Sequence, residues 1–342
     1  MFSGCDFMNS VWTKTSKPIT FEPLNGNIKT NVLIIGGGLA GLLCAEALKN
    51  AGVDYILVEA KDICGGITKN TTAKITIQHG LFCDEFMKKF GEEKTKLYIK
   101  AQIKALDRFS KLSENIDCDF EKKDSYVYSL NDRQKIENEL NAFERIGIKA
   151  EFSKADNLPF AVSGAVRLKD QAQFNPLKFA YSLAKDLRIF ENTKVVELMP
   201  NKAKTENGEI TFKKAIIATH FPILNKHGGF FIKMYQHRSY VENAAGVNGM
   251  YVDEAEKGMS FRNYKNLLLV GGGDHRTGKS GGGWKELQSF SEKYYKNAKI
   301  LCNPSCVPCH KYPETISPDL FCVLLFLLHL HQFLPVDAFQ PN

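Results

Sequence analysis

The chain has 342 residues, 44% apolar and 24% charged, a balance that excludes a wholly disordered, collagenous or polytopic membrane protein. Its 45 basic and 38 acidic residues give a net charge of +7, but the lysines are spread along the chain and form no stripe that would read as a nucleic-acid surface. Cys5, Cys44, Cys64, Cys83 and Cys118 are scattered singly, and the N-terminus lacks the apolar region of a secretory signal, so a cytoplasmic protein with reduced thiols is expected.

In chain order, residues 31–35 read as a buried strand, 39–51 as a helix ending at Gly52, and 54–59 as a second strand. A long helix is expected from about 92 to 115, because Ile99, Ile103, Leu106, Phe109, Leu112 and Ile116 recur at helical spacing. Residues 125–130 alternate like a strand. Asp132 is placed to cap a helix that stops at Gly147, and Asn175 followed by Pro176 marks another helix start. Strands are expected at 194–199, 209–212 and 214–219 and in parts of 230–242 and 266–270, with a last helix from near Trp284. The fold class is therefore α/β: a Rossmann-like parallel sheet with helices, plus an interleaved antiparallel sheet.

Composition changes near residue 300. Residues 301–342 hold 6 of the 12 prolines, 4 of the 9 cysteines and none of the 26 glycines. A domain over 28–300 followed by a divergent, poorly ordered tail over 301–342 is the expectation. The apolar run 321–328 in that tail is too short to span a bilayer, so no membrane partner is expected.

The first strand runs into Gly36-Gly37-Gly38-Leu39-Ala40-Gly41 and then into the first helix, the G-x-G-x-x-G arrangement of a dinucleotide site. Gly36 permits the tight turn, Gly38 lets backbone approach a pyrophosphate, and Gly41 lets the helix pack closely on the strand. The helix N-terminus offers free N–H groups to phosphate. Glu59, at the end of the second strand, is placed to take a ribose hydroxyl, which disfavours a 2′-phosphate. FAD and NAD share this fingerprint. The small, hydroxyl-rich stretch from Cys64 and Gly66 to Thr71, Thr72 and Ala73 favours a flavin, whose ribityl chain needs close backbone there, and NAD stays open as an alternative.

These segments, with 171–180, 214–222, 235–241 and 267–279, resemble the FAD-dependent oxidoreductases of the D-amino-acid oxidase/glycine oxidase type. The resemblance covers about residues 10–300 and is strongest to a bacterial subgroup that usually carries a C-terminal Rieske domain. It implies FAD as cofactor and an FAD-binding layer assembled from about 28–80, 160–225 and 263–300. It implies that Gly36, Gly38 and Gly41 meet the pyrophosphate and Glu59 the adenosine ribose, with Gly37, Leu39 and Ala40 also among the cofactor-binding residues. Lys61 would lie beside the adenosine, Thr71, Thr72 and Ala73 near the isoalloxazine, and Gly66 is a further cofactor-binding residue. Val195 would touch the adenine side, and Ala218 and Thr219 would close over the cofactor. For Val195 and Ala218 plain sheet core is the alternative. Tyr235 and Arg238 fall on a strand of the substrate sheet, where Arg238 could bind a carboxylate or make a structural ion pair.

The implied activity is oxidation of a C–H bond next to nitrogen in a small-molecule amine or amino acid, with hydride passing to the flavin, an unassigned electron acceptor and no assigned general base. The family pattern breaks off near residue 300, so a catalytically incomplete flavin-binding remnant is the competing reading. Two further motifs are discounted. Gly273 to Ser280 satisfies G-x-x-x-x-G-K-[ST], but three glycines follow where a P-loop needs a helix. Cys302, Cys306 and Cys309 have the spacing of cluster or zinc ligands, yet too little chain follows for a cluster enzyme, and no metal is expected.

Overall fold

The computed structural model describes residues 10–220, 223, 235–244, 247–255, 257–276, 282–295 and 305–311; along 235–244 and 305–311 the backbone alone is described. The chain forms two compact units, each discontinuous. One gathers residues 15–69 and 176–235, and the other 70–175 and 236–309 with the N-terminal segment.

The first unit is built on two runs of wholly buried apolar residues, Val32–Ile35 and Tyr55–Val58. Continuous apolar runs of this kind suit a parallel sheet covered on both faces. They pair in parallel with each other, with Lys214–Ile217 on one side and with Ile189–Phe190 on the other. Helix Leu39–Asn50 connects the two central strands and buries Leu42, Leu43, Cys44, Ala45 and Leu48. It ends where Gly52 adopts φ +67° and its N–H reaches the Lys49 carbonyl at 3.0 Å. Helix Pro176–Ala184 packs on it. A second sheet runs Val195–Met199, Lys202–Thr205 and Gly208–Thr211 as an antiparallel meander, with Ile28–Lys29 added in parallel. Leu24, Leu33, Ile35, Ile56, Val58, Ala203, Ile210 and Phe212 form one core beneath both sheets.

The other unit carries a nine-stranded, mainly antiparallel sheet. Its order is Ser305–Lys311, Tyr235–Ala244, Leu267–Arg276, Ser260–Tyr264, Met250–Asp253, Glu121–Ser129, Gly164–Gln173 and Lys74–Ile75, with Glu151–Ser153 paired to Gly164–Gln173. Met250–Asp253 and Glu121–Ser129 run parallel. Helices Cys83–Phe90, Glu92–Ser113 and Arg133–Arg145 share a core with Val166 and Leu168 of the sheet. Asp132 caps the last of these, accepting from the Lys135 amide at 2.9 Å, and Gly147 with φ +78° follows its end.

The expected α/β class with an added antiparallel sheet is the observed one. Of the segments expected to make the FAD layer, 28–69 and 176–220 fall in the first unit. Residues 70–80, 160–175 and the described part of 263–295 fall in the other, because Leu267–Arg276 is paired on both edges inside the nine-stranded sheet. Ser305–Lys311, within the segment expected to be poorly ordered, forms that sheet's edge strand. The rest of 301–342 lies outside the described residues, as does the side chain of every tail cysteine.

Candidate functional site

The turn between Ile35 and Leu39 contains three glycines with three different reasons for being glycine. Gly36 has φ +111°, and a Cβ there would lie 2.5 Å from the Ala218 carbonyl oxygen. Gly41 is the point where the helix touches the turn, since a Cβ would lie 2.0 Å from the Gly36 oxygen. Protein packing accounts for both. Gly38 is different: its backbone is ordinary extended chain, φ −76° and ψ 179°, and a Cβ would meet only the Thr68 hydroxyl at 3.7 Å. No atom of the described residues requires glycine there.

The same corner presents donors. Gly38 is the N-cap of helix Leu39–Asn50 and has no capping side chain, and the first turn carries no acid. The Leu39 N–H donates to Thr68 Oγ1 at 3.2 Å, while the amides of Gly38, Ala40 and Gly41 meet no acceptor among the described residues. Gly38, Leu39 and Ala40 are partly exposed. Open amides at a helix N-terminus, beside a glycine with empty space over it, form a cradle for an anionic group that approaches the backbone closely. A pyrophosphate fits that description, so the residues present suit FAD.

Glu59 stands at the end of the second strand as expected, and the structure gives it a further task. Its Oε2 accepts from the Gly37 N–H at 2.7 Å and its Oε1 from the Lys61 N–H at 3.0 Å. The carboxylate thus fixes the glycine turn and retains lone pairs for a ribose hydroxyl. Lys61 is exposed, and its carbonyl accepts from the Asn192 amide at 3.1 Å. Gly66 is exposed with free space where a Cβ would be. Cys64 is held in the left-handed region at φ +57° by its N–H bond to the Gly37 carbonyl at 2.9 Å, and burial pushes its thiol up to about 12. It is not a reactive thiolate.

Ala218 donates its N–H to Ile35 at 2.8 Å, extending the parallel pairing, and Thr219 follows it at the mouth of the turn. Val195 is half-buried in the meander sheet and packs against its core. All these residues from Gly36 to Thr219 belong to one unit. Thr71, Thr72 and Ala73 belong to the other, where Trp12 Nε1 donates to the Thr71 carbonyl at 2.8 Å and Ala73 takes φ +54°. The side chains of Tyr235 and Arg238 lie outside the described residues, although their strand is present.

Some positions carried no sequence signal. Glu191 is 1% exposed, and its carboxylate accepts from Ile63 N at 2.6 Å and Phe21 N at 2.8 Å, so it holds the loop after Glu59. Arg262, fully buried, donates to the carbonyls of Thr72 at 2.8 Å and Ala73 at 2.5 Å. Burial brings its guanidinium down to about 9.

The P-loop pattern fails in structure as well. Gly273 to Arg276 continue the strand Leu267–Arg276, with Arg238 opposite His275 and His237 opposite Arg276. Lys279 and Ser280 lie outside the described residues. Among the described residues no group of three or more His, Cys, Asp or Glu could hold a metal ion, and no helix is long and apolar enough to cross a membrane.

Comparison with known proteins places this geometry. The chain is 31% identical over 288 residues to the Bacillus subtilis (strain 168) protein described as the Rieske 2Fe-2S iron-sulfur protein YhfW, covering 78% of this chain and 57% of that one. It is 25% identical over 221 residues to the gamma-glutamylputrescine oxidoreductase of Escherichia coli (strain K12), covering 59% of this chain and 52% of that one. The chain therefore spans about half the length of these curated relatives. In fold it is similar to L-proline dehydrogenase from P. horikoshii, with TM-score 0.72 at 15% identity, covering 93% of this chain and 98% of that one. Residues 31–303 match the model of the family described as FAD dependent oxidoreductase, DAO. The family's cofactor is FAD, and the chain belongs to the DAO family of FAD-dependent oxidoreductases.

Proposed function

We propose that this chain oxidises the C–H bond next to nitrogen in an amino acid or amine. The substrate loses a hydride to FAD, and water hydrolyses the resulting imine to a carbonyl compound and a free amine. FAD supplies the two-electron acceptor, and the protein supplies binding and orientation. The observation that carries the reading is the turn at Gly38, where open amides and an empty Cβ direction leave room for a pyrophosphate. In this reading Gly36, Gly37, Gly38, Leu39, Ala40 and Gly41 hold the pyrophosphate. Glu59, Lys61 and Val195 hold the adenosine, and Ala218 and Thr219 border the cofactor. Gly66 and Thr71 to Ala73 serve the flavin end. The substrate class follows from the relatives, whose names specify γ-glutamylputrescine and L-proline, both nitrogen compounds. The described Cys44, Cys64, Cys83 and Cys118 are free and buried, which suits a reducing cytoplasm.

The visible spectrum of the purified protein tests this. Flavin bands that are released on denaturation, and that bleach anaerobically when an amino acid or amine is added, are expected. Absence of flavin, or flavin that no amino acid or amine reduces, would overturn the proposal.

A further inference from the structure

Three consecutive backbone carbonyls, those of Thr71, Thr72 and Ala73, are all held by two buried side chains. Trp12, on helix Val11–Thr15 and 1% exposed, donates from Nε1 to the Thr71 carbonyl at 2.8 Å. Arg262 donates from Nη1 to the carbonyls of Thr72 at 2.8 Å and Ala73 at 2.5 Å. The two side chains also hold each other, since the guanidinium carbon lies 5.2 Å from the centre of the Trp12 ring. Tyr264 packs edge-on against the indole, with ring centroids 4.7 Å apart, and its hydroxyl donates to Asp119 Oδ2 at 2.8 Å. All of these residues belong to one unit.

Packing alone does not call for this arrangement. A guanidinium taken out of water without a carboxylate is costly. Arg262 nevertheless has only backbone carbonyls as hydrogen-bond partners among the described residues. Ala73 is held at φ +54°, a left-handed conformation that an ordinary turn gives to glycine. What the arrangement achieves is direction. In a planar trans peptide the C=O and the following N–H point opposite ways, so anchoring the Thr71 carbonyl inward turns the Thr72 N–H outward. The Ala73 N–H is taken up by Thr71 Oγ1 at 3.1 Å, whereas the Thr72 N–H meets no acceptor among the described residues. Thr71 and Thr72 are partly exposed.

We propose that Trp12 and Arg262 are positioning residues for the flavin: together they lock the peptide planes of residues 71–73 so that the Thr72 N–H is presented to the flavin end of FAD. This rests on the reading above, which gives Thr71 to Ala73 to that end of the cofactor, and it adds two residues that act through the backbone of others.

The test uses ADP, which carries the pyrophosphate and adenosine of FAD without its flavin and so reports the nucleotide end alone. In titrations of the flavin-free full chain, Trp12→Phe, which keeps a ring and removes the N–H, should weaken FAD about three- to tenfold and leave ADP affinity unchanged. Arg262→Lys, which keeps the charge but not the forked donor, should weaken FAD about tenfold or more, again without effect on ADP. Thermal melts show which variants fold. Either folded variant that binds FAD as tightly as the parent, or that loses FAD and ADP affinity equally, overturns the proposal. So does a parent chain that binds FAD no more tightly than ADP. If neither variant folds, the pair serves stability alone and the proposal falls. Anaerobic bleaching by amino acids or amines separates the two claims. A parent that discriminates FAD from ADP but is never bleached rejects only the oxidation; a bleached parent whose folded Trp12→Phe variant keeps full FAD affinity rejects only the clamp.

Discussion

Alanine at Gly38 and alanine at Gly41 should have opposite effects, and the contrast isolates the ligand's demand from the protein's. Gly38→Ala places a methyl in an ordinary backbone conformation, 3.7 Å from its nearest neighbour, Thr68 Oγ1. Folding should be unaffected or improved by about 0.4–1 kcal/mol, since alanine narrows the unfolded ensemble. The methyl nevertheless occupies the side from which a pyrophosphate must approach, so FAD affinity should fall about tenfold or more, equivalent to about 1.4 kcal/mol. Gly41→Ala instead drives a Cβ to 2.0 Å from the Gly36 oxygen. Helix and turn must separate, and overpacking of this kind costs about 1–3 kcal/mol or more. Thermal melts of the flavin-free proteins give the folding term, and quenching of FAD fluorescence on titration gives the binding term. Refutation would be Gly38→Ala protein that binds FAD as tightly as the parent, or that loses stability as Gly41→Ala does.

Glu59→Gln should weaken FAD retention about ten- to a hundredfold, a loss of about 1.5–3 kcal/mol for a charge-assisted contact. Unchanged retention by FAD titration would mean the carboxylate serves only the Gly37 and Lys61 amides. Glu139 is fully buried, accepts from Cys83 N and Asp84 N at 2.9 Å, and is pushed by burial up to about 7. A carboxyl whose folded value lies above its unfolded one favours the fold below about pH 4.5 and loses that contribution as pH rises toward 7, by up to about 3 kcal/mol. Urea unfolding across that window should therefore lose slope in Glu139→Gln, and identical slopes would reject the assignment. Lys279→Ala should leave FAD content unchanged, as measured by absorbance after denaturation; loss of a tight ATP complex in that variant would revive the P-loop.

What was legible in the sequence was local. The buried runs at Val32–Ile35 and Tyr55–Val58, the helix stop at Gly52, the Asp132 cap and the Pro176 start each depend on residues within a few positions, and each stands within two residues of expectation. Gly164–Gln173 escaped because Arg167, Lys169 and Asp170 interrupt its apolar pattern. Those charges sit where the strand is partly or fully exposed, and Arg167 pairs with the distant Asp124 and Glu151 and Lys169 with Glu151. Glu191 and Arg262 are charged residues that a one-dimensional reading assigns to the surface. Their burial is made possible by backbone amides and carbonyls from remote segments, and no spacing rule encodes such partners. The glycine turn was legible in the tight turn at Gly36 and the close helix packing at Gly41, because both follow from the strand–turn–helix geometry.

The first unit's central strand is completed from far along the chain. Ile35 pairs with Ile217, about 180 residues later, so the nucleotide turn acquires its Ala218 neighbour only after the intervening segment of the other unit has been made. At about 5–20 residues per second, the ribosome would expose a half-built turn for roughly ten to forty seconds. During that interval Val32–Ile35, already able to pair with Tyr55–Val58, is open along its other edge, the kind of surface that recruits chaperones or aggregates. A complete turn is available to a flavin only after Ala218 has been made, so cofactor loading should be sensitive to how fast the segment between Ile35 and Ile217 is translated.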